Sequence, residues 1–180
     1  MSVWNRKRRE VLSEHRVFRV VADHLERVDG VKREIHLFET GDWCNVVALT
    51  PDHRFVLVRQ HRFGIEGKTL ELPGGMIDAG EEPIEAARRE LEEETGYRCA
   101  HIEPLAAPYA NPAMQATRLH AFLATGCTPT ERGQSLDELE DCEVVVLDRK
   151  ELDAAIDDGA FSHALCWVGL FAYDRKRRGA

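Results

Sequence analysis

Three glutamates, Glu90, Glu93 and Glu94, recur at i, i+3 and i+4 in a charged segment bounded by Pro83 and Gly96. On an α-helix those positions share one face. Glu90 and Glu94 are then like charges one turn apart, which costs an isolated helix about 0.2–0.5 kcal/mol. A hard divalent cation reverses that sign, because Mg2+ takes carboxylate oxygens and water as ligands. Arg88 and Arg89 stand just ahead of the cluster, where a guanidinium can steady a carboxylate or reach a phosphate. Upstream, Gly74-Gly75 and Gly80 permit a tight bend and a carbonyl that approaches a metal. The competing account is a solvated face, since glutamate is a good helix former.

Several elements must position this chemistry. Residues 82–95 read as a helix with Pro83 in its first turn and Gly96 just past its end. Ile84, Ala87 and Leu91 recur at helical spacing and can face a core. Ahead of the helix, 15–28 and 31–38 read as extended runs joined by the hairpin signal Asp29-Gly30. Residues 45–50 and 55–59 flank a second turn signal, Pro51-Asp52, and read as core strands. Beyond the helix, strands are expected at 98–106, 118–124 and 142–147, and helices at 149–157 and 161–174. Strands mixed with few helices predict an α+β class, not a doubly wound parallel sheet. The basic clusters 6–9 and 175–178 read as solvated tails.

Composition limits the function classes. A chain of 180 residues that is 43% hydrophobic can bury a core. A formal net charge of -8 disfavours non-specific binding to nucleic acid or anionic lipid. An acidic protein that handles an anionic substrate therefore needs a metal or clustered arginine. Cys44, Cys99, Cys127, Cys142 and Cys166 are odd in number with no C-x-x-C, as expected of reduced thiols in a cytoplasmic protein. The first ten residues are basic without the apolar run of a signal peptide, and nothing approaches the roughly 18 apolar residues of a membrane span. The run Gly64 to Thr69 lacks P-loop spacing, H-E-x-x-H and G-x-S-x-G are absent, and the histidines show no ligand spacing.

The whole pattern is more specific than its parts. Gly75, five residues, Glu81, seven residues, then Arg89-Glu90-Leu91-x-Glu93-Glu94-x-Gly96-Tyr97 resembles the Nudix box at every defined position. Residues 42–50, 58–63, Asn111-Pro112 and 136–146 extend the resemblance to the ADP-ribose pyrophosphatase branch, which also contains hydrolases of other nucleoside diphosphate sugars. The resemblance implies a Nudix fold: a mixed β-sheet sandwiched between α-helices, with an N-terminal antiparallel β extension. Residues 1–40 would be that extension, forming a homodimer, and 41–180 the hydrolase domain.

It also implies roles. Glu90, Glu93, Glu94 and the Gly74 carbonyl would hold Mg2+, with Mn2+ able to substitute; Glu81 would lie at the edge of the cluster. Arg89 would orient the glutamates, and Leu91 would be a core contact. The general base would come from the acidic loop 131–142, on Glu138, with Glu140 next; the alternative is a plain acidic surface loop. Arg62 would contact the substrate phosphates, with Arg59 the second candidate. Trp43 would stack on a base or simply pack, and Pro112 would shape the distal pocket, where Ala113 replaces the glycine of many relatives. The implied partner is a small nucleoside diphosphate sugar, with neither nucleic acid nor membrane. Two rival readings stay open: a non-catalytic nucleotide-sugar-binding regulator, and a pyrophosphohydrolase of nucleoside triphosphates or dinucleoside polyphosphates.

Overall fold

The computed structural model describes residues 3–136 and 141–179. The chain divides into two compact units, Met1–Asp42 with Tyr109–Arg118, and Trp43–Pro108 with Leu119–Ala180.

The first unit carries an antiparallel sheet of β1 (Trp4–Glu14), β2 (Arg19–Arg27) and β3 (Lys32–Glu39), in that order. The β2–β3 hairpin turns at Asp29-Gly30 as expected, with Gly30 at φ 85° and the Arg27 N–H donating to Val31 O at 2.8 Å. The basic N-terminal segment is a correction: it is strand, not a solvated tail. Arg6 and Arg9 have carboxylate partners across the sheet. Arg9 donates from Nε and Nη2 to the two oxygens of Asp23, both at 2.6 Å, and from Nη1 to Glu39. Asp23 is buried, and a buried charge persists only when paired. The run expected over 15–28 accordingly begins only at Arg19.

The second unit runs β4 (Trp43–Leu49), β5 (Phe55–Arg62), β6 (Gly67–Glu71), α1 (Pro83–Thr95), β7 (Tyr97–Arg98), β8 (His101–Ala106), β9 (Leu119–Thr125), β10 (Thr128–Pro129), β11 (Cys142–Leu147), α2 (Arg149–Asp157) and α3 (Ala164–Arg177). Its main sheet has the order β11-β5-β4-β9-β8, with β6 added to β5, and β7 pairs with β10 apart from it. β4 and β9 are parallel, whereas the other ladders are antiparallel. Strand alternation sends neighbouring residues to opposite faces. Val46, Ala48 and Val56 pack with Ala86, Ala87 and Leu91 of α1. Val47, Leu49 and Leu57 pack with Leu152 of α2 and with Cys166 and Leu170 of α3. A mixed sheet thus lies between helices, the expected α+β arrangement. Each fully buried aliphatic contributes about 1.5–3 kcal/mol.

The expected 149–157 helix is α2, opened by a reciprocal cap: Glu151 N–H to Asp148 Oδ1 at 2.8 Å and Asp148 N–H to Glu151 Oε2 at 2.7 Å. The helix expected from 161 starts at Ala164, because the His163 ring accepts from the Leu165 N–H at 3.2 Å and caps it. Residues 175–177, expected as tail, form the last turn of α3. β6 had no counterpart among the expected strands. Among the described residues no helix is long and apolar enough to cross a membrane, and no disulfide joins the cysteines.

Candidate active site

The site is assembled from two adjoining pieces of chain, the glycine bend after β6 and the acidic face of α1. α1 begins with Pro83 at its first position and ends on Gly96, whose φ of 69° closes the helix through its N–H to Glu92 O at 2.8 Å. Leu91, Ala86 and Ala87 face the core, which turns the opposite side of the helix toward the bend.

The bend is stitched to β4 by Val46 N–H to Pro73 O and Cys44 N–H to Gly75 O, each 2.9 Å. Gly74 has no room for a side chain: a Cβ there would lie 2.2 Å from Cys44 O and 2.7 Å from Asn45 Cα. A Cβ on Gly75 would lie 2.6–2.8 Å from the Glu90 carboxylate. The bend therefore presses backbone directly on the glutamates. Glu94, 3% exposed, accepts the Gly74 N–H at 2.8 Å, and the Cys142 thiol lies 3.9 Å from its other oxygen. Gln134 ties this corner together, its amide donating to Glu94 O at 2.6 Å and Cys142 O at 3.1 Å.

Arg89 is the hub of the acidic face. It donates to both oxygens of Glu81 at 3.0 Å, to Glu90 Oε1 at 2.8 Å, to Glu93 Oε2 at 3.0 Å and to Met76 O at 3.2 Å. The hydrogen bonds that Arg89 donates to Glu81 lead the effects that raise the Arg89 pKa, and the Arg89 guanidinium in turn holds the Glu81 carboxyl below its ordinary value. Glu90 is nearly buried, while the Glu93 side chain is 43% exposed. Three carboxylates thus converge on one guanidinium, beside a fourth anchored to backbone. Such oxygen donors fit a hard divalent ion.

The other expected residues fall in different surroundings. Arg62, at the end of β5, grips Glu71 with Nε–Oε1 at 2.7 Å and Nη2–Oε2 at 2.6 Å. Burial pushes the Glu71 carboxyl up, but hydrogen bonds from Arg62 and Thr69 outweigh it and hold the group below the usual range. Arg59 is exposed and donates to Glu143 Oε2 at 3.0 Å. Trp43 is half-buried, its backbone bridged to Met76 beside the bend. Pro112 belongs to the first unit, where it lines a cavity of about 430 Å3 with Phe38, Tyr109 and Thr117. Glu138 and Glu140 lie outside the described residues.

Glu71 was not singled out from sequence. A signal existed: Thr69 and Glu71 alternate onto one face just ahead of Pro73-Gly74-Gly75, and Arg62 is placed to answer a buried acid.

Known proteins resemble the chain in sequence and in fold. The NUDIX domain model matches residues 42–165. The chain is 32% identical to a methanol dehydrogenase activator of Bacillus methanolicus, over 73% of this chain and 71% of that one. It is 31% identical to an ADP-ribose pyrophosphatase of Bacillus subtilis, over 76% and 74%. Among solved structures, an ADP compounds hydrolase superposes with a TM-score of 0.85 and 26% identity, covering 99% of this chain and 96% of that one.

Proposed function

The chain belongs to the Nudix hydrolases, on their ADP-ribose pyrophosphatase branch, and from that premise we propose that it hydrolyses the pyrophosphate bond of ADP-ribose or a related nucleoside diphosphate sugar with Mg2+. The products are a nucleoside monophosphate and a sugar phosphate. The observation that carries this reading is the convergence of Glu81, Glu90 and Glu93 on Arg89 beside the glycine bend that also receives Glu94.

The donor set fits a hard ion. Glu90, Glu93, Glu94 and the Gly74 carbonyl would hold Mg2+, or Mn2+ in its place. The ion supplies Lewis acidity toward the phosphate oxygens and the attacking water. Arg89 orients the glutamates and offsets part of their repulsion. Glu138 takes the proton of the attacking water: a glutamate committed to a metal has its lone pairs engaged, so the base belongs outside the cluster. Arg62 keeps Nη1 for a substrate phosphate while Glu71 fixes its plane. Arg59 is a second phosphate contact, and Trp43 stacks on the base.

The deciding experiment is a phosphatase-coupled release assay over ADP-ribose, GDP-mannose, other nucleotide sugars, dinucleoside polyphosphates and nucleoside triphosphates. Preference for a nucleoside diphosphate sugar supports the reading. Preference for triphosphates transfers the chain to the sanitising class, and binding without turnover makes it a regulator.

The first unit, with residues 1–40 as its β extension, is assigned to homodimer formation. Val11, Val17 and Ile35 are 40–49% exposed there, and apolar surface of that kind is normally covered. Light scattering that returns a single chain mass at micromolar concentration refutes the assignment.

A further inference from the structure

A second group of ligating side chains lies in the same unit as the glutamates. Glu71 at the end of β6, and His163 and Cys166 at the start of α3, offer ligand atoms that all lie within 4.8 Å of one another. They are brought together across about half the chain, with Cys166 Sγ 4.0 Å from Glu71 Oε2. Glu71 is 2% and Cys166 3% exposed, while His163 is half-buried.

We propose that Glu71, His163 and Cys166 form a site for Zn2+ or a similar borderline-soft divalent ion, which clamps β6, just before the glycine bend, to the first turn of α3. The proposal is independent of the substrate and reaction assigned above.

The donor types carry the argument. One carboxylate, one imidazole and one thiol is a set that Zn2+ accepts and Mg2+ does not. Zn–ligand bonds of about 2.0–2.3 Å separate tetrahedral ligand atoms by roughly 3.5 Å, so side-chain rotation closes the remaining gap. Two of the ligands, Glu71 and Cys166, are also held from behind, as ligands in metal sites are. Arg62 and Thr69 fix the Glu71 carboxylate. The Leu72 N–H lies 3.4 Å from Cys166 Sγ. His163 Nδ1 accepts the Leu165 N–H at 3.2 Å, which puts the ring proton on Nε2, so the ring gives up this cap when it ligates the ion. A fourth position is left to water or to an added ligand.

Two further features oppose binding and shape its chemistry. Burial, and next the charge of Glu71, push the Cys166 thiol well above its ordinary pKa. The ion must therefore displace that proton: thiol plus Zn2+ gives zinc thiolate plus H+ released to solvent. Arg62 also shares Glu71. A carboxylate oxygen accepts more than one partner, so Oε2 can keep its guanidinium bond while facing the metal.

The test uses the full-length, reduced chain with Mg2+ in excess to occupy the box glutamates. Zn2+ is titrated against a chromophoric chelator, and Co2+ replaces it for absorption spectroscopy. Expected are one tight Zn2+ per chain, a thiolate-to-Co2+ charge-transfer band, and a Zn2+-dependent rise in melting temperature. Cys166→Ser should abolish the band, and both Cys166→Ser and His163→Gln should weaken Zn2+ binding about 100-fold or more. His163→Gln changes a half-buried capping residue, so it keeps the test valid if Cys166→Ser does not fold. Absence of tight Zn2+ binding by the wild type overturns the proposal, as does a band that survives in Cys166→Ser. Unchanged Zn2+ affinity in folded His163→Gln does the same.

Discussion

Arg89 and Arg62 each organise a polar cluster in the second unit, and the two clusters rest on different charge balances. Arg89 sets one guanidinium against Glu81, Glu90 and Glu93, on a side chain about one-third exposed. Arg62 sets one guanidinium against one carboxylate, that of the buried Glu71. The first arrangement leaves an excess of carboxylate within reach of solvent, a condition that an added cation relieves. The second is matched in charge, with the Glu71 carboxylate buried and the Arg62 side chain 35% exposed. Surplus carboxylate at an accessible face draws a hard cation, and a matched pair fastens the elements that carry it. The comparison expects a partial dissociation: changes at the glutamate face should remove activity and spare stability, while changes at Glu71 should cost stability.

The largest expected effect is on the glutamate face. Glu94→Gln keeps an oxygen that can accept the Gly74 N–H, so the bend stays in place. It loses the charge that draws Mg2+. We expect kcat to fall about 1,000-fold, roughly 4 kcal/mol of barrier, with the melting temperature nearly unchanged. EDTA should abolish wild-type turnover. Turnover that persists in metal-free buffer would sink the metal assignment, and collapse of the fold in Glu94→Gln would erase the difference between the clusters.

Next is the base. Glu138→Gln should lower kcat about 100-fold or more, as loss of general base catalysis does, without altering Mg2+ affinity or KM. Glu140→Gln serves as the control and should do less. If Glu138→Gln retains wild-type kcat on the preferred substrate, the base moves to Glu140 or into the box.

What was legible in the sequence follows the range of the interactions involved. α1 and its boundaries rest on local signals, Pro83, Gly96 and the spacing of Leu91, and the structure repeats them almost residue for residue. The box pattern likewise fits within one bend and one helix. β1 was missed because what makes it a strand is Asp23 and Glu39, fourteen and thirty residues beyond Arg9. β6 is short, starts with Gly67-Lys68, and is a strand because it pairs with β5. Glu71 and Cys166 meet across 95 residues, and no local spacing announces such a meeting.

Glu71→Gln probes the matched cluster. It leaves the Arg62 charge partly buried without its carboxylate. Breaking a buried pair from one side costs about 3–5 kcal/mol, and Arg62 is 35% exposed, so roughly 2 kcal/mol is expected after solvent screening. The folded protein holds the Glu71 pKa below its ordinary value. The carboxylate therefore stabilises the fold above the unfolded pKa and loses that contribution as pH falls through the folded value. Urea unfolding in EDTA should show a gap between wild type and Glu71→Gln at neutral pH that narrows in acid. A gap that does not change with pH would mean that the carboxylate charge is not what holds the fold.

The smallest effect is expected at Gly75, and it sharpens the comparison most finely because its neighbour behaves differently. An alanine Cβ at Gly74 meets backbone, Cys44 O and Asn45 Cα, which cannot withdraw without moving β4. Gly74→Ala should therefore destabilise the protein by about 2–3 kcal/mol. At Gly75 the same Cβ meets only the carboxylate of Glu90, the far end of a flexible side chain. That group can swing aside, so Gly75→Ala should stay within about 1 kcal/mol of wild type, at the low end of an overpacking cost. The swing carries Glu90 away from the glutamate face. The half-saturating Mg2+ concentration should then rise about tenfold, as for a ligand whose support is disturbed, with kcat largely restored at high Mg2+. A Mg2+ titration of activity reads this directly. An unchanged half-saturation point in folded Gly75→Ala would show that the position of Glu90 against the bend does not govern metal affinity, and would leave Glu93 and Glu94 as the ligands that matter.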